Sequence, residues 1–293
     1  MENNMPLAQL SVLTLNVGFA RHNADWNWKN VRSPFARLYY VTEGEAQVIL
    51  PSGTYSLTPN HMYLIPPFTM HSYVCTGPFA HYYVHIYEAD GKNSLYDNWD
   101  IPFEVDAVTN DLLMMVRLCE LNPFLKLPQS NPDVYDNHLM LMNNIRMNQN
   151  RSFSDKLESR GILYVLLSRF LAHSKLRAEV GDTRIQKTIR YIRQHLDEPL
   201  PIGTLSSIAC MSKDHYIRMF KQFTGQTPVT YIAIRRMEKA ELLLVTTSMS
   251  VKLLASEVGY EDTSYFNRIF RKYVGQSPQM YRQGNGLSIL SNQ

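Results

Sequence analysis

The chain is 293 residues long, 45% hydrophobic and 19% charged, with a formal net charge of +3, which fits a folded soluble protein of about two domains. The charge is uneven: 15 Lys and Arg stand against 8 Asp and Glu from Thr183 onward, and 14 against 18 before it. A basic second half points to a partner of opposite sign, a nucleic-acid backbone first, with a solvated basic surface as the alternative. Cys75, Cys119 and Cys210 are far apart and lack CxxC spacing, so neither a disulfide framework nor a zinc site is suggested, and a reduced cytoplasm suits them. No basic stretch followed by an apolar run opens the chain, and the strongest later apolar run, 161–167, is too short to span a bilayer. Neither secretion nor membrane insertion is expected.

From about residue 7 to 88, short runs rich in Val, Ile, Tyr and Leu are punctuated by Gly, Pro and Asn, the pattern of strands. Two runs flank Glu43-Gly44-Glu45, which reads as a hairpin, and Pro51-Ser52-Gly53 supplies the next turn. Residues 55–57, 62–65, 71–74 and 80–87 continue the series, and strands without intervening helices predict a sandwich or small barrel. Asp25-Trp26-Asn27-Trp28 reads either as an arm closing over a pocket or as an exposed hairpin. After Asp106 the period becomes helical, over 108–121, 134–147 and 153–176. Leu163, Leu166, Leu167 and Phe170 share one face of the third helix, which either covers the barrel or zips against a second copy. Polar residues from His173 to Asp182 place a boundary there. The expected domains are a barrel at 1–105, helices at 106–176, a linker at 177–182, a second domain at 183–284 and a tail at 285–293.

In the second domain, Ile185, Ile189, Ile192 and Leu196 line a helix that stops before Pro199 and Pro201. A short helix over 202–210 and a turn at Met211 lead to Ser212, the N-cap of a helix to about Phe223. Pro228 opens a connecting helix to about Val245. A second short helix runs from near Ser250 to Gly259, Tyr260-Glu261 turns, and Asp262 caps a last helix to about Val274. The two halves repeat: Tyr216-Ile217-Arg218-Met219-Phe220-Lys221, then Gly225-Gln226-Thr227-Pro228, recurs as Tyr265-Phe266-Asn267-Arg268-Ile269-Phe270-Arg271, then Gly275-Gln276-Ser277-Pro278. A helix lying in a DNA groove needs an apolar buried stripe and an opposite face of hydrogen-bonding groups. The first copy turns Tyr216, Met219, Phe220 and Phe223 inward and Asp214, Ile217, Arg218 and Lys221 outward. The second turns Phe266, Ile269, Phe270 and Tyr273 inward and Thr263, Ser264, Asn267, Arg268 and Arg271 outward. Two matching copies, each behind a short helix and a tight turn, favour DNA reading over an ordinary amphipathic surface.

The segment Ser250-Val-Lys-Leu-Leu-Ala-Ser-Glu-Val-Gly-Tyr-Glu-Asp-Thr-Ser-Tyr-Phe-Asn-Arg-Ile-Phe-Arg-Lys-Tyr-Val-Gly-Gln-Ser-Pro278, ending with Tyr281-Arg282, closely resembles the signature of AraC/XylS-type bacterial transcription regulators. The resemblance covers about 183–282. It implies two helix-turn-helix units on a long linking helix, entering adjacent major-groove segments on one face of double-stranded DNA. The implied contacts fall at Asp214, Ile217, Arg218, Lys221, Thr263, Ser264, Asn267 and Arg268. Two departures stand out: Cys210 occupies a position where the family usually has Gly, and Ile217 one where a polar reader is common. The first unit is then expected to read more by contact with thymine methyl groups than by hydrogen bonds. Adjacent segments lie roughly 34 Å apart, and a linking helix from Pro228 to Val245 spans about 27 Å at ~1.5 Å per residue.

The family commonly places a cupin-like barrel and dimerising helices ahead of the DNA-binding domain. The first half resembles this in Tyr39-Tyr40-Val41 with Gly44, in the run from Leu57 to His71, and in the strand from His81 to Tyr87. The expected fold is α+β: an N-terminal cupin-like β-barrel with appended helices, then an all-α domain containing two helix-turn-helix units. Side chains two apart on a strand share a face, so His71 and Tyr73 point together, as do His81, Tyr83 and His85. With Arg32, Arg37 and Tyr39 they offer aromatic platforms and donors for a small polar effector, such as a sugar or metabolite; the alternative is that they only satisfy local hydrogen bonds. A metal-dependent cupin enzyme is the competing class, with His61, His71, His81 and His85 as convergent ligands, but the His-x-His motif and following Glu of such enzymes are missing. No nucleophile elbow, P-loop or dinucleotide fingerprint occurs, so neither catalysis nor a cofactor is expected. The expected protein is a cytoplasmic homodimer that meets DNA and an effector, with RNA polymerase as a further candidate partner. A ligand-independent regulator using the barrel as a scaffold remains open.

Overall fold

The structure, a computed structural model, describes residues 10–88, 95–136, 138–176 and 183–283. The chain forms two compact units, the first ending at Lys175. The first opens with β1 (Val12–Asn23), β2 (Ala36–Gly44), β3 (Ala46–Leu50), β4 (Gly53–Leu57), β5 (His61–Ile65), β6 (Ser72–Val74) and β7 (Pro78–Glu88), followed by α1 (Leu95–Asn98), β8 (Trp99–Asp100) and β9 (Glu104–Asp106). A five-stranded sheet in the order β1-β7-β2-β5-β9 and a three-stranded sheet in the order β4-β3-β6 make the walls of the barrel.

The period of two along β2 and β7 divides the core. Leu38, Tyr40, Val84 and Ile86 face outward under the helices, while Tyr39, Val41, Phe79 and Tyr83 face inward with Val48, Leu57 and Tyr73. Both faces are buried because helices cover the outer one. Antiparallel register sets Tyr39 opposite Tyr83 and Arg37 opposite His85, so the inward polar groups meet at one level of the barrel.

Two local expectations are corrected here. Glu43-Gly44-Glu45 is not a hairpin, because β2 and β3 belong to different sheets. Gly44 takes φ 69°, and a Cβ there would lie 1.8 Å from the Pro78 carbonyl oxygen, so only glycine lets the chain leave one wall for the other. The turn at Pro51-Ser52 does close a hairpin, with Leu50 opposite Gly53. Trp26 is not part of an exposed hairpin, the second alternative for 25–28: it is buried in the inner core, with its ring centroid 4.0 Å from that of Tyr73.

Four further helices follow: α2 (Thr109–Leu121), α3 (Pro132–Tyr135), α4 (His138–Gln149) and α5 (Phe153–Leu171). The continuous helix expected over 134–147 is broken at Asp136, whose carboxylate is held by Ser33 and, at 2.9 Å, by Arg37. The third helix stops at Leu171 instead of 176. Its last turn tightens, His173 and Ser174 donating to the Phe170 and Leu171 carbonyls before a short strand, β10 (Lys175–Leu176). The face made by Leu163, Leu166, Leu167 and Phe170 packs on the outer side of the five-stranded sheet, each side chain contributing about 1.5–3 kcal/mol by burial.

The second unit contains α6 (Thr183–Gln194), α7 (Ile202–Ile208), α8 (Lys213–Thr224), α9 (Pro228–Thr246), α10 (Val251–Glu257), α11 (Thr263–Val274) and α12 (Pro278–Arg282). The first half of α9 gives Tyr231 and Ile232 to a core with Ile185, Ile192, Leu205, Tyr216 and Phe220. Its second half gives Met237, Ala240 and Leu244 to a core with Leu254, Val258, Phe266 and Phe270. The repeated Gly-Gln-Thr/Ser-Pro element is a stop-and-restart signal. Gly225 and Gly275 end α8 and α11 in the left-handed region, at φ 75° and 87°, and Thr227 and Ser277 cap the next helices, which Pro228 and Pro278 open. The same signal that starts α9 therefore starts α12, a helix absent from the expectation that ended near Val274.

Candidate functional site

Helices α8 and α11 occupy equivalent places against α9. On α8, Tyr216 and Phe220 are fully buried, leaving Asp214, Arg218 and Lys221 exposed and Ile217 half-buried. On α11, Phe266 and Phe270 are fully buried, while Ser264, Asn267, Arg268 and Arg271 are exposed and Thr263 is half-buried. Phe223 and Tyr273, expected inward, are exposed; at the end of α11 it is Val274, the next residue, that packs against the core. Arg218 rests against His215, Nη2 to Nδ1 at 3.1 Å, and the Arg268 guanidinium lies 5.1 Å over the Tyr265 ring. Both cations are thus pre-set on an exposed helix face with donors left for a phosphate or a base edge. The faces differ in chemistry, since Ile217 and Asn267 take the same place on the two helices.

The turns before the readers differ as well. Cys210 follows α7 at φ 51°, and Gly259 follows the cap of α10 at φ 81°. From there the first unit reaches its N-cap at Ser212 and the second at Asp262, so the second turn is one residue longer. Asp262 accepts from the Tyr265 N–H at 2.8 Å, whereas the Ser212 side chain makes no capping bond.

In the barrel, Tyr39, His81, Tyr83 and His85 line a cavity of about 190 Å³, together with His22, Trp26, Lys126 and Tyr135. Behind it, the Tyr73 hydroxyl joins Tyr39 at 2.6 Å and His71 Nε2 at 2.7 Å. Arg37 is 1% exposed and is matched by Asp136, with Ser33 and His85 also in reach. Arg32 is not brought to the cavity; its guanidinium lies 4.9 Å over the Phe68 ring. Burial, helped by the charge of His22, drives the His81 imidazole down to about 3. Burial and the Arg37 charge do the same to His71, also to about 3, and hold His85 well below the ordinary range. These rings are neutral at pH 7. His81 Nδ1 and His22 Nε2 have no hydrogen-bond partner among the described residues. His22 Nδ1 stands 3.3 Å from an Asp25 oxygen, off the line of a hydrogen bond. The interior is therefore polar, aromatic and without an unmatched buried cation among the described residues, and it holds hydrogen-bonding nitrogens that those residues do not satisfy.

The sequence does not single out His22 or Tyr135, whereas Trp26 lies in the segment read as an arm closing over a pocket or an exposed hairpin. His22 stands near the end of β1 before that segment, and Tyr135 comes from a helix whose break the periodicity hid. Among the described residues no group of three or more His, Cys, Asp or Glu is placed to hold a metal ion, and no helix is long and apolar enough to cross a membrane.

Residues 16–94 match the AraC-like ligand binding domain, and residues 205–284 match a helix-turn-helix domain of the type these readers form. The chain belongs to the AraC/XylS family. It is 32% identical to the MmsAB operon regulatory protein of Pseudomonas aeruginosa over 142 residues, 45% of this chain and 46% of that one. It is 30% identical to the Arabinose operon regulatory protein of Escherichia coli over 133 residues, with the same shares. The chain thus spans about half the length of the curated relatives it matches. Among solved structures it resembles the DNA-binding domain of AdpA in complex with a target DNA, with 29% identity, 34% of this chain, 89% of that chain and a TM-score of 0.33. The first match falls on the strand-rich part of the first unit and the second on the helical unit.

Proposed function

We propose that this AraC/XylS chain is a sequence-specific transcription regulator that reads double-stranded DNA with α8 and α11 and senses a small uncharged polar effector in the barrel. The observation that carries the reading is the pair of helices with buried Phe220 and Phe270 and exposed Arg218, Lys221, Arg268 and Arg271, both packed on one linking helix. At ~1.5 Å per residue α9 is about 28 Å long, close to the roughly 34 Å between successive major-groove segments. Neutral histidines and an Arg37 already matched by Asp136 favour a neutral group in the buried interior, sugars among the candidates, and leave the exposed Lys126 of the lining as the cation that a competing carboxylate would use. Effector binding shifts the population between two arrangements that present the readers differently, which requires unequal affinity for the two. The proposal includes a cytoplasmic homodimer and contact with RNA polymerase, and no catalysis. The test is DNA titration of the full chain with and without compounds that raise its melting temperature, neutral sugars and carboxylate metabolites compared in parallel. DNA affinity unmoved by every compound that raises the melting temperature would leave the barrel as a scaffold.

A further inference from the structure

The two readers have separate apolar cores with no residue in common, so their relative placement needs another explanation besides α9 itself. Arg236, in the middle of α9, supplies one. Its Nε donates to the Leu196 carbonyl at 2.9 Å and its Nη2 to the Glu198 carbonyl at 2.6 Å, both in the loop that leaves α6 on the first unit's side. The same guanidinium lies 5.2 Å over the ring of Tyr260, which stands in the turn before α11. That turn is pressed against the same point: a Cβ on Gly259 would lie 2.4 Å from the Leu196 oxygen and 2.6 Å from Arg236 Nη2. One planar cation therefore ties the first unit's loop, the linking helix and the second unit's turn.

We propose that Arg236 is a positioning residue that sets the spacing and rotation of the second reader relative to the first, and so decides which separation of two major-groove boxes the protein accepts. The inference rests on the two-reader reading above. Arginine suits the role because its fixed fork can serve two carbonyls at once while its face stacks on an aromatic ring; lysine offers a point charge and no plane. A DNA reader that slips by one base pair is displaced along the axis and rotated around it together, so a loose joint widens the set of accepted spacings without touching a base.

The experiment uses the full chain and a duplex enriched by the wild type from a random pool, with companion duplexes carrying one base pair more or less between the boxes and a duplex keeping one box only. The wild type is expected to lose about tenfold or more on either shift, as for a lost base contact. Arg236→Met is expected to discriminate the spacings by less than about threefold and to bind the one-box duplex as the wild type does. Tyr260→Leu, which keeps both carbonyl bonds, is the second variant and carries the test if Arg236→Met does not fold; it is expected to fall between. Equal loss on all duplexes, with a shallower salt dependence, would make Arg236 a phosphate contact or a plain stabiliser and overturn the proposal. Unchanged discrimination in folded variants would also overturn it. A wild type indifferent to spacing would instead overturn the two-reader reading itself.

Discussion

The first helix-turn-helix unit and the second have separate but equivalent cores and differ at the turn. Tyr216 and Phe220 in one, and Phe266 and Phe270 in the other, are wholly buried, yet the left-handed turn residue is Cys210 in the first and Gly259 in the second. The backbone angle alone does not demand glycine, since a cysteine holds it at an exposed position at the cost of local strain. What demands glycine is crowding: a neighbouring backbone carbonyl occupies the place of a Cβ at Gly259. The largest expected effect follows. Gly259→Val adds strain and a backbone clash together and should cost at least about 3 kcal/mol of the second unit's stability, measured by denaturant titration of the full chain. A cost below about 1 kcal/mol would mean that the turn is free to move away from Leu196.

On the outer faces, Asn267 and Arg268 give the second unit two adjacent exposed polar side chains where the first has Ile217 and Arg218. Arg268→Ala should lower affinity for the selected duplex by about 1–3 kcal/mol and relax preference at one position. Lys221→Ala should weaken selected and scrambled duplexes alike and reduce the salt slope by about one, as loss of a phosphate contact does. Equal losses for the two variants on both duplexes would erase the distinction between the units. At the helix starts, Asp262→Ala removes a capping bond of 2.8 Å and should cost about 1 kcal/mol, whereas Ser212→Ala removes none and should cost close to nothing. Chemical denaturation of the two variants side by side reads the difference; similar costs would show that Ser212 caps α8 in solution.

The helical unit is legible in the sequence because its information is local and doubled: the apolar spacing, Asp262 before α11 and the Gly-Gln-Thr/Ser-Pro restart all lie within one turn of what they specify. The barrel is legible only in its alternation. That Tyr39, Tyr83 and His85 share an interior follows from the period of two, but which strands pair does not, and Gly44 reads as a hairpin because a turn residue does not say which sheet the next strand joins. Arg37 shows the same limit. Its partner Asp136 lies 99 positions away, just past the end of α3, where a pattern that reads as one continuous helix is interrupted. Arg32 has the chemistry of a ligand contact, but the structure sets it over Phe68, outside the cavity lining.

A small expected gain is also the cleanest test of what separates the two turns. Cys210 is exposed and keeps φ 51°, a region that costs an L-residue roughly 1–2 kcal/mol, while glycine enters it freely but loses more chain entropy on folding, roughly 0.5–1 kcal/mol. The two terms oppose each other, so Cys210→Gly should stabilise the first unit by only about 0.5 kcal/mol. The sign is informative in itself. A gain means that the first turn stores strain, which the second avoids only by using the residue its crowded site requires. A loss means that Cys210 makes a packing contribution exceeding its strain, so that the cysteine is the favoured residue there.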